Sequence, residues 1–126
     1  EWVLSQAAAF ADPEMLRVQN LEYASPSTVA FQRASVVLGD VMLATGAWRA
    51  GGLGRGPSRA VISLTLVLLN PALLLVDHIH FQYNGALLGL LLHSAADIEA
   101  GHICRGAVLF CLLLNAKQIF LYVAPV

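Results

Sequence analysis

The chain has 126 residues, 58% of them hydrophobic and 12% charged, with a mean hydropathy of +0.70 and a formal net charge of −1. A soluble domain carries about a quarter of its residues as charges, so this composition excludes an ordinary soluble protein and points to a membrane. No basic stripe or run is present, which removes nucleic acid as a partner. Cys104 and Cys111 are the only cysteines. On one helix their Cα atoms would be roughly 10 Å apart, beyond disulfide reach, so both read as small apolar residues. The chain begins Glu1-Trp2, with no basic n-region, so no signal peptide is expected there. A piece of a longer polytopic protein is the expectation.

Residues 1–28 are the least hydrophobic stretch. Trp2, Val3, Leu4, Ala7, Ala8 and Phe10 suit a short amphipathic helix. Asp12-Pro13-Glu14 predicts a second helix start, with Asp as N-cap, Pro at the first helical position and an acid in the first turn. Met15, Leu16, Val18 and Leu21 give it an apolar side, and Trp2 and Tyr23 suit the headgroup level. Ser25-Pro26-Ser27-Thr28 predicts a turn and a cap for the first long apolar segment.

Four membrane segments are then expected, over about residues 29–48, 60–76, 85–98 and 103–123. Residues 29–126 would form part of one larger membrane domain. The first segment carries Arg33 and Asp40, seven apart and so on one side of a helix. The second contains Asn70-Pro71, an expected kink. The third gives roughly 21 Å of helix against a ~30 Å hydrocarbon core. The glycine-rich stretch at 51–57 is a flexible turn; it lacks the Lys-Ser/Thr ending of a phosphate loop. Arg49, Arg55 and Arg59 with no acid mark residues 49–59 as cytoplasmic, which places 1–28 and 77–84 together on the opposite face. The loop at 97–105 supports this weakly, because Asp97 and Glu99 sit there with Arg105.

The densest chemistry is Asp77-His78-Ile79-His80-Phe81-Gln82-Tyr83-Asn84-Gly85, set between apolar blocks. Polar groups at a bilayer edge are costly unless used. Three roles suit it: a metal site, a helix-end cap, or a binding site for an anionic or sugar ligand. A catalytic zinc site wants three protein ligands, and no second cluster is evident. Imidazoles can donate to phosphate oxygens, while Gln82, Tyr83 and Asn84 can pair with sugar hydroxyls. Asp77 can hold an imidazole in one tautomer. Arg33 suits phosphate recognition at a cavity mouth; structural service for Arg33 and Asp40 is the alternative. Lys117, late in the last apolar run, either snorkels to the surface or adds positive charge to the same mouth. His93 and His102 read as packed or exposed histidines.

The nine-residue stretch at 77–85 resembles the signature of the endoplasmic reticulum glucosyltransferases that use dolichyl-phosphate-glucose. Phe31-Gln32-Arg33 with Asp40, and Lys117-Gln118-Ile119-Phe120-Leu121-Tyr122-Val123-Ala124-Pro125, resemble the same family in the same order. Two paralogs exist in it, adding the first and second glucose to the lipid-linked oligosaccharide. Ile79, Asp12 to Leu16, Asn20-Leu21 and Tyr23-Ala24-Ser25 look like the second-glucose enzyme. The resemblance implies an all-α polytopic C-type glycosyltransferase fold, with residues 1–28 ending a first lumenal loop of interfacial helices. It implies a multi-pass protein of the endoplasmic reticulum membrane with a lumenal active face.

The implied reaction is an inverting transfer of glucose from dolichyl-phosphate-glucose to the dolichyl-pyrophosphate-linked oligosaccharide, serving protein N-glycosylation, an alpha-1,3 linkage made with no cofactor and no metal. The family's general-base aspartate lies in an Asp-Tyr-Pro-Pro-like motif that this sequence lacks; Asp12 does not match it, and the expectation places the base just upstream of Glu1. The implied substrate-binding residues are Arg33, Asp77, His78, His80, Gln82, Tyr83, Asn84 and Lys117. The paralog adding the first glucose is one alternative. A proton- or ion-coupled transporter lined by Asp40, Asp77, the histidines and Lys117 is another. A non-catalytic membrane scaffold is a third, in which neutral replacements at Arg33 and His80 leave function intact.

Overall fold

The computed structural model describes residues 2–19 and 23–124, and every regular element among them is helical. The expectations placed on Asn20, Leu21 and Pro125, and on the side chains of Trp2 and Val3, lie outside what is described. The chain divides into two compact units, residues 1–35 and 36–126.

In the first unit, α1 (Trp2–Ala11) leads into a 3₁₀ turn at Pro13–Leu16. The cap read from Asp12-Pro13-Glu14 is present: Asp12 Oδ1 accepts from the Glu14 N–H at 3.1 Å. Its other oxygen accepts from the hydroxyls of Ser25 (2.6 Å), Ser27 (2.9 Å), Tyr23 (3.1 Å) and Thr28 (3.3 Å). The hydroxyls of Ser25 and Ser27 are the leading cause that holds the Asp12 carboxyl at about 2, since hydrogen bonds to a carboxylate favour its charged form. The expected cap at residues 25–28 also forms, with Ser25 Oγ accepting from the Thr28 N–H at 3.1 Å. The helix it starts, α2, runs Pro26–Gly52.

The second unit holds the rest of α2. Val36, Leu43 and Ala47 on that helix are buried. Glycines set how closely it meets α5 (Asn84–Glu99). A Cβ on Gly89 would lie 2.6 Å from the Leu43 amide nitrogen and 2.7 Å from the Met42 carbonyl. Small residues that admit a neighbouring backbone are the common device for joining helices where water supplies no driving force. After α2 the chain turns through Gly54 and Gly56, at φ +64° and +85°, into α3 (Pro57–Leu68).

Where a kink is expected, at Asn70-Pro71, the helix breaks and restarts. Asn70 Oδ1 accepts from the Ala72 N–H at 2.9 Å, and Pro71 starts a new turn, α4 (Pro71–Leu73). That turn runs directly into a π-helical segment, Leu74–Ile79. Taken together, Pro57–Ile79 is 23 residues with a hydropathy of 2.1, long and apolar enough by length and composition to cross a membrane. It is the one such run among the described residues. Helix α2 has the length, but Arg33, Asp40 and Arg49 interrupt it. Helix α5 has 16 residues and α6 (Ile103–Ala116) has 14.

The fourth expected segment is shorter than its apolar composition implies. Helix α6 ends at Ala116, Lys117 is extended (φ −153°, ψ 110°), and a 3₁₀ turn, Gln118–Val123, comes next. Helices α5 and α6 meet at Ser94, whose hydroxyl donates to the Gly106 carbonyl at 2.7 Å. In the last turn of α5, Asp97 is fully buried and takes a hydrogen bond from Arg49 at 2.6 Å, with Arg105 at 3.6 Å. Glu99 pairs with Arg55 at 3.3 Å. The two acids that weakened the charge pattern at 97–105 are therefore matched by arginines, two of them from the loop at 49–59. His93, expected to be a packed or exposed histidine, is held between Thr45 and Arg49, each at 3.1 Å. Arg49 can only donate, so Nδ1 accepts and the proton sits on Nε2 toward Thr45. Cys104 and Cys111 are both free. Large apolar side chains face outward, with Leu38 and Leu66 70% exposed, as for a surface meeting lipid or further helices.

Candidate substrate-binding site

The polar stretch at 77–85 is built by two departures from ordinary helix. The first is the π-helical segment Leu74–Ile79. Such segments occur mainly as single turns and are frequent at functional sites. The second is Phe81, the one non-glycine residue at positive φ (52°) among the described residues. A bulky side chain there is strained and needs support from its surroundings. Together they end the apolar run and send the chain into α5.

Asp77 supplies that support. It is 3% exposed. Its Oδ1 accepts from the Asn84 backbone N–H at 3.1 Å and from Asn84 Nδ2 at 3.0 Å, and its Oδ2 accepts from the Gly85 N–H. The first amides of a helix have no partner within it, and the helix dipole favours an anion there. Asp77 therefore caps α5 from the preceding segment. Of the roles open to it in the sequence, the cap is the one it adopts, and its carboxylate turns to α5 rather than to an imidazole.

The imidazole is met by a different acid. His78 Nε2 lies 2.9 Å from Asp40 Oδ2 on α2. Helical spacing alone groups Asp40 with Arg33; the structure sets it against His78. A Cβ on Gly85 would lie 3.0 Å from Asp77 Oδ2 and 3.6 Å from Asp40 Oδ1, so both acids flank one backbone position that only a glycine leaves open. Beside the Asp40–His78 pair is a small cavity of about 40 Å³, closed by Leu43, Val67, Leu73 and Leu74 among others.

The last element adds a cation. Lys117 Nζ donates to Asn84 Oδ1 at 2.8 Å. Asn84 Nδ2 also donates to Gln82 Oε1 at 3.1 Å. One amide thus joins Lys117, Gln82 and Asp77. His80 and Gln82 are exposed, and Tyr83 is half-buried. Arg33 is an exposed residue of α2 in the first unit. Among the described residues no three His, Cys, Asp or Glu side chains gather to hold a metal ion.

Of the eight residues expected at the site, the second unit brings Asp77, Gln82, Asn84 and Lys117 into one hydrogen-bonded group, and sets His78 against Asp40 on α2. Asp40 is the member that sequence reasoning left out of the site. Its position inside an apolar segment, where an acid needs a partner, was the signal that could have found it.

These features define a helical membrane-protein segment with a polar cluster where its span-length apolar run ends. Residues 1–126 match the ALG6, ALG8 glycosyltransferase family, and the chain belongs to that family. It is 47% identical over 128 residues to a Drosophila melanogaster protein named as a probable dolichyl pyrophosphate Glc1Man9GlcNAc2 alpha-1,3-glucosyltransferase. That match covers 99% of this chain and 25% of the relative. Proteins with the same name, without the qualifier, are 43% identical in Mus musculus and 42% in Arabidopsis thaliana, over 99% and 100% of this chain and 25% of each relative. The chain therefore spans about a quarter of the length of these curated relatives. No solved structure matches it.

Proposed function

We propose that the protein containing this chain is a glucosyltransferase that adds the second, alpha-1,3-linked glucose to the lipid-linked oligosaccharide, with dolichyl-phosphate-glucose as donor. The observation that carries this is the 47% identity, over 99% of the chain, to a relative named for the Glc1Man9GlcNAc2 acceptor. The protein is a multi-pass resident of the endoplasmic reticulum membrane with a lumenal active face and a C-type glycosyltransferase fold. This chain contributes four segments of it, around residues 29–48, 60–76, 85–98 and 103–123.

Single-displacement transfer needs a base at the attacking hydroxyl, charge stabilisation at the departing phosphate, and exclusion of water. A phosphate leaving group needs no acid, only cations and donors near it. Arg33, His78, His80 and Lys117 take that electrophilic side, while Gln82, Tyr83 and Asn84 orient the sugar and phosphate. Asp77 serves by holding Asn84 and the start of α5. The general base lies on another part of the protein.

The test is glucose transfer by the purified full-length protein, given dolichyl-phosphate-glucose and a lipid-linked acceptor. One hexose added to the acceptor that already carries one glucose is the expected product. Transfer to the unglucosylated acceptor would assign the protein to the paralog adding the first glucose. No lipid-dependent transfer, with solute flux in liposomes, would replace the enzyme by a transporter. Within an active enzyme, His80→Ala lowers turnover; full turnover at normal expression removes His80 from the mechanism.

A further inference from the structure

We propose that Asp40 is a positioning residue for His78, fixing the imidazole so that its other nitrogen faces the donor phosphate. The proposal rests on the glucosyltransferase reading and adds to it a residue on a different helix.

The geometry carries it. His78 Nε2 is 2.9 Å from Asp40 Oδ2. An ionised carboxylate can only accept, so Nε2 holds the proton and Nδ1 is left to face elsewhere. His78 sits on the π-helical segment Leu74–Ile79, a stretch of unusual backbone. Asp40 sits on α2, whose neighbouring residues Met42 and Leu43 are locked against Gly89. A group on an irregular segment is thus tied to a rigid element, which is how a reacting side chain is held to a useful geometry.

The surroundings favour a tight pair. Leu43, Val67, Leu73 and Leu74 close the small cavity beside it, and a charge-assisted hydrogen bond gains strength where water is excluded on one side. Asp77, the other acid beside Gly85, is occupied by the first amides of α5, and Lys117 is bound to Asn84. Neither holds His78. In the imidazolium form both ring nitrogens carry protons, so with the Nε2–H on the Asp40 carboxylate the Nδ1–H is the one available to developing negative charge. The departing phosphate gains that charge as the glycosidic bond to its oxygen breaks, the electron pair staying on that oxygen.

The test uses the full-length enzyme in liposomes with dolichyl-phosphate-glucose and the lipid-linked acceptor. Asp40→Asn keeps size but removes the carboxylate charge that pairs with the Nε2–H of the imidazolium. It should lower turnover at saturating donor by about tenfold to a hundredfold, the worth of one charge-assisted hydrogen bond, with donor KM changed by less than about threefold. Asp40→Glu, which restores a carboxylate, should recover most of the loss. Asp40→Asn with His78→Ala should be no slower than His78→Ala alone, because one residue acts through the other. Chemical modification of His78 by diethyl pyrocarbonate, read by mass spectrometry, should speed up in Asp40→Asn while His80 stays unchanged.

Full turnover in folded Asp40→Asn, or losses that add in the double variant, would overturn the positioning role. So would a variant that merely unfolds at lower temperature while each folded molecule keeps its rate. A wild-type protein that transfers no glucose would instead overturn the functional reading, and the modification rates would still report whether Asp40 covers the imidazole.

Discussion

The Lys117 ammonium donates to the Asn84 side-chain carbonyl at 2.8 Å, across 33 residues of sequence. The same Asn84 donates to Asp77. A cation and a buried acid are therefore linked through one amide rather than paired directly. The position of the ammonium is set by a group that is itself held to two further side chains.

That arrangement predicts a graded pair of effects. Lys117→Met should raise the donor KM about tenfold, the value of one hydrogen bond to a charged group, and leave thermal unfolding close to wild type because the lysine is exposed. Asn84→Ala should also lower the unfolding temperature, since it strips a donor from Asp77. Steady-state kinetics and thermal unfolding of the full-length protein separate the two. Equal kinetic and stability losses in both variants would contradict the relay.

Asp77→Ala should act mainly on stability. It would leave the Asn84 and Gly85 amides without their acceptor at a buried helix start. Unsatisfied buried donors cost about 1–3 kcal/mol each, and a lost cap about 0.5–2 kcal/mol. Asp77→Asn should be milder, because its carbonyl can still accept. The check is the thermal unfolding midpoint, with activity compared per folded molecule.

How much of this could be read in the sequence depends on the range of the interaction. Asp12-Pro13-Glu14, Ser25-Pro26-Ser27-Thr28 and Asn70-Pro71 each hold donor and acceptor within a few residues, and all three local hydrogen bonds form, although the second helix expected after Asp12 is only the four-residue 3₁₀ turn Pro13–Leu16. The cluster at 77–85 was legible as a concentration of polar groups in an apolar chain. Its internal partners were not. Asp77 and His78 are adjacent, yet one turns to α5 and the other to α2, a choice set by partners 7–8 and 38 residues away rather than by neighbours in sequence. The pattern of apolar residues also ran past Lys117 without a sign of the break there. That break accompanies a contact with Asn84, which no local pattern encodes.

Close helix packing predicts an ordered pair of glycine effects. Gly89→Ala would push a Cβ to 2.6 Å from the Leu43 amide nitrogen and 2.7 Å from the Met42 carbonyl, and backbone cannot step aside. Overpacking of this kind costs about 1–3 kcal/mol. Gly39→Ala meets the Ala86 methyl at 3.2 Å and the Ala86 backbone no nearer than 3.5 Å, and should lose much less. Thermal unfolding of both variants checks the order. The reverse order would mean that α2 and α5 are not joined through Gly89.

The Asp12 carboxylate predicts a dependence on acid that belongs to the first unit. Its folded value is about 2, below the ordinary 3.8, with the Ser25 and Ser27 hydroxyls as the main cause. A carboxyl with a depressed folded value binds its proton more readily when unfolded, so unfolded chains take up protons first as the pH falls. Its stabilising contribution is therefore complete above about pH 4 and fades between about pH 4 and 2. Asp12→Asn removes the titrating group while keeping one acceptor. Wild type should resist proteolysis within residues 1–35 better than Asp12→Asn at about pH 6, and the advantage should shrink as the pH is taken through that window. An advantage that stays constant from about pH 6 to about pH 2 would mean that the four hydroxyls do not hold a charged Asp12.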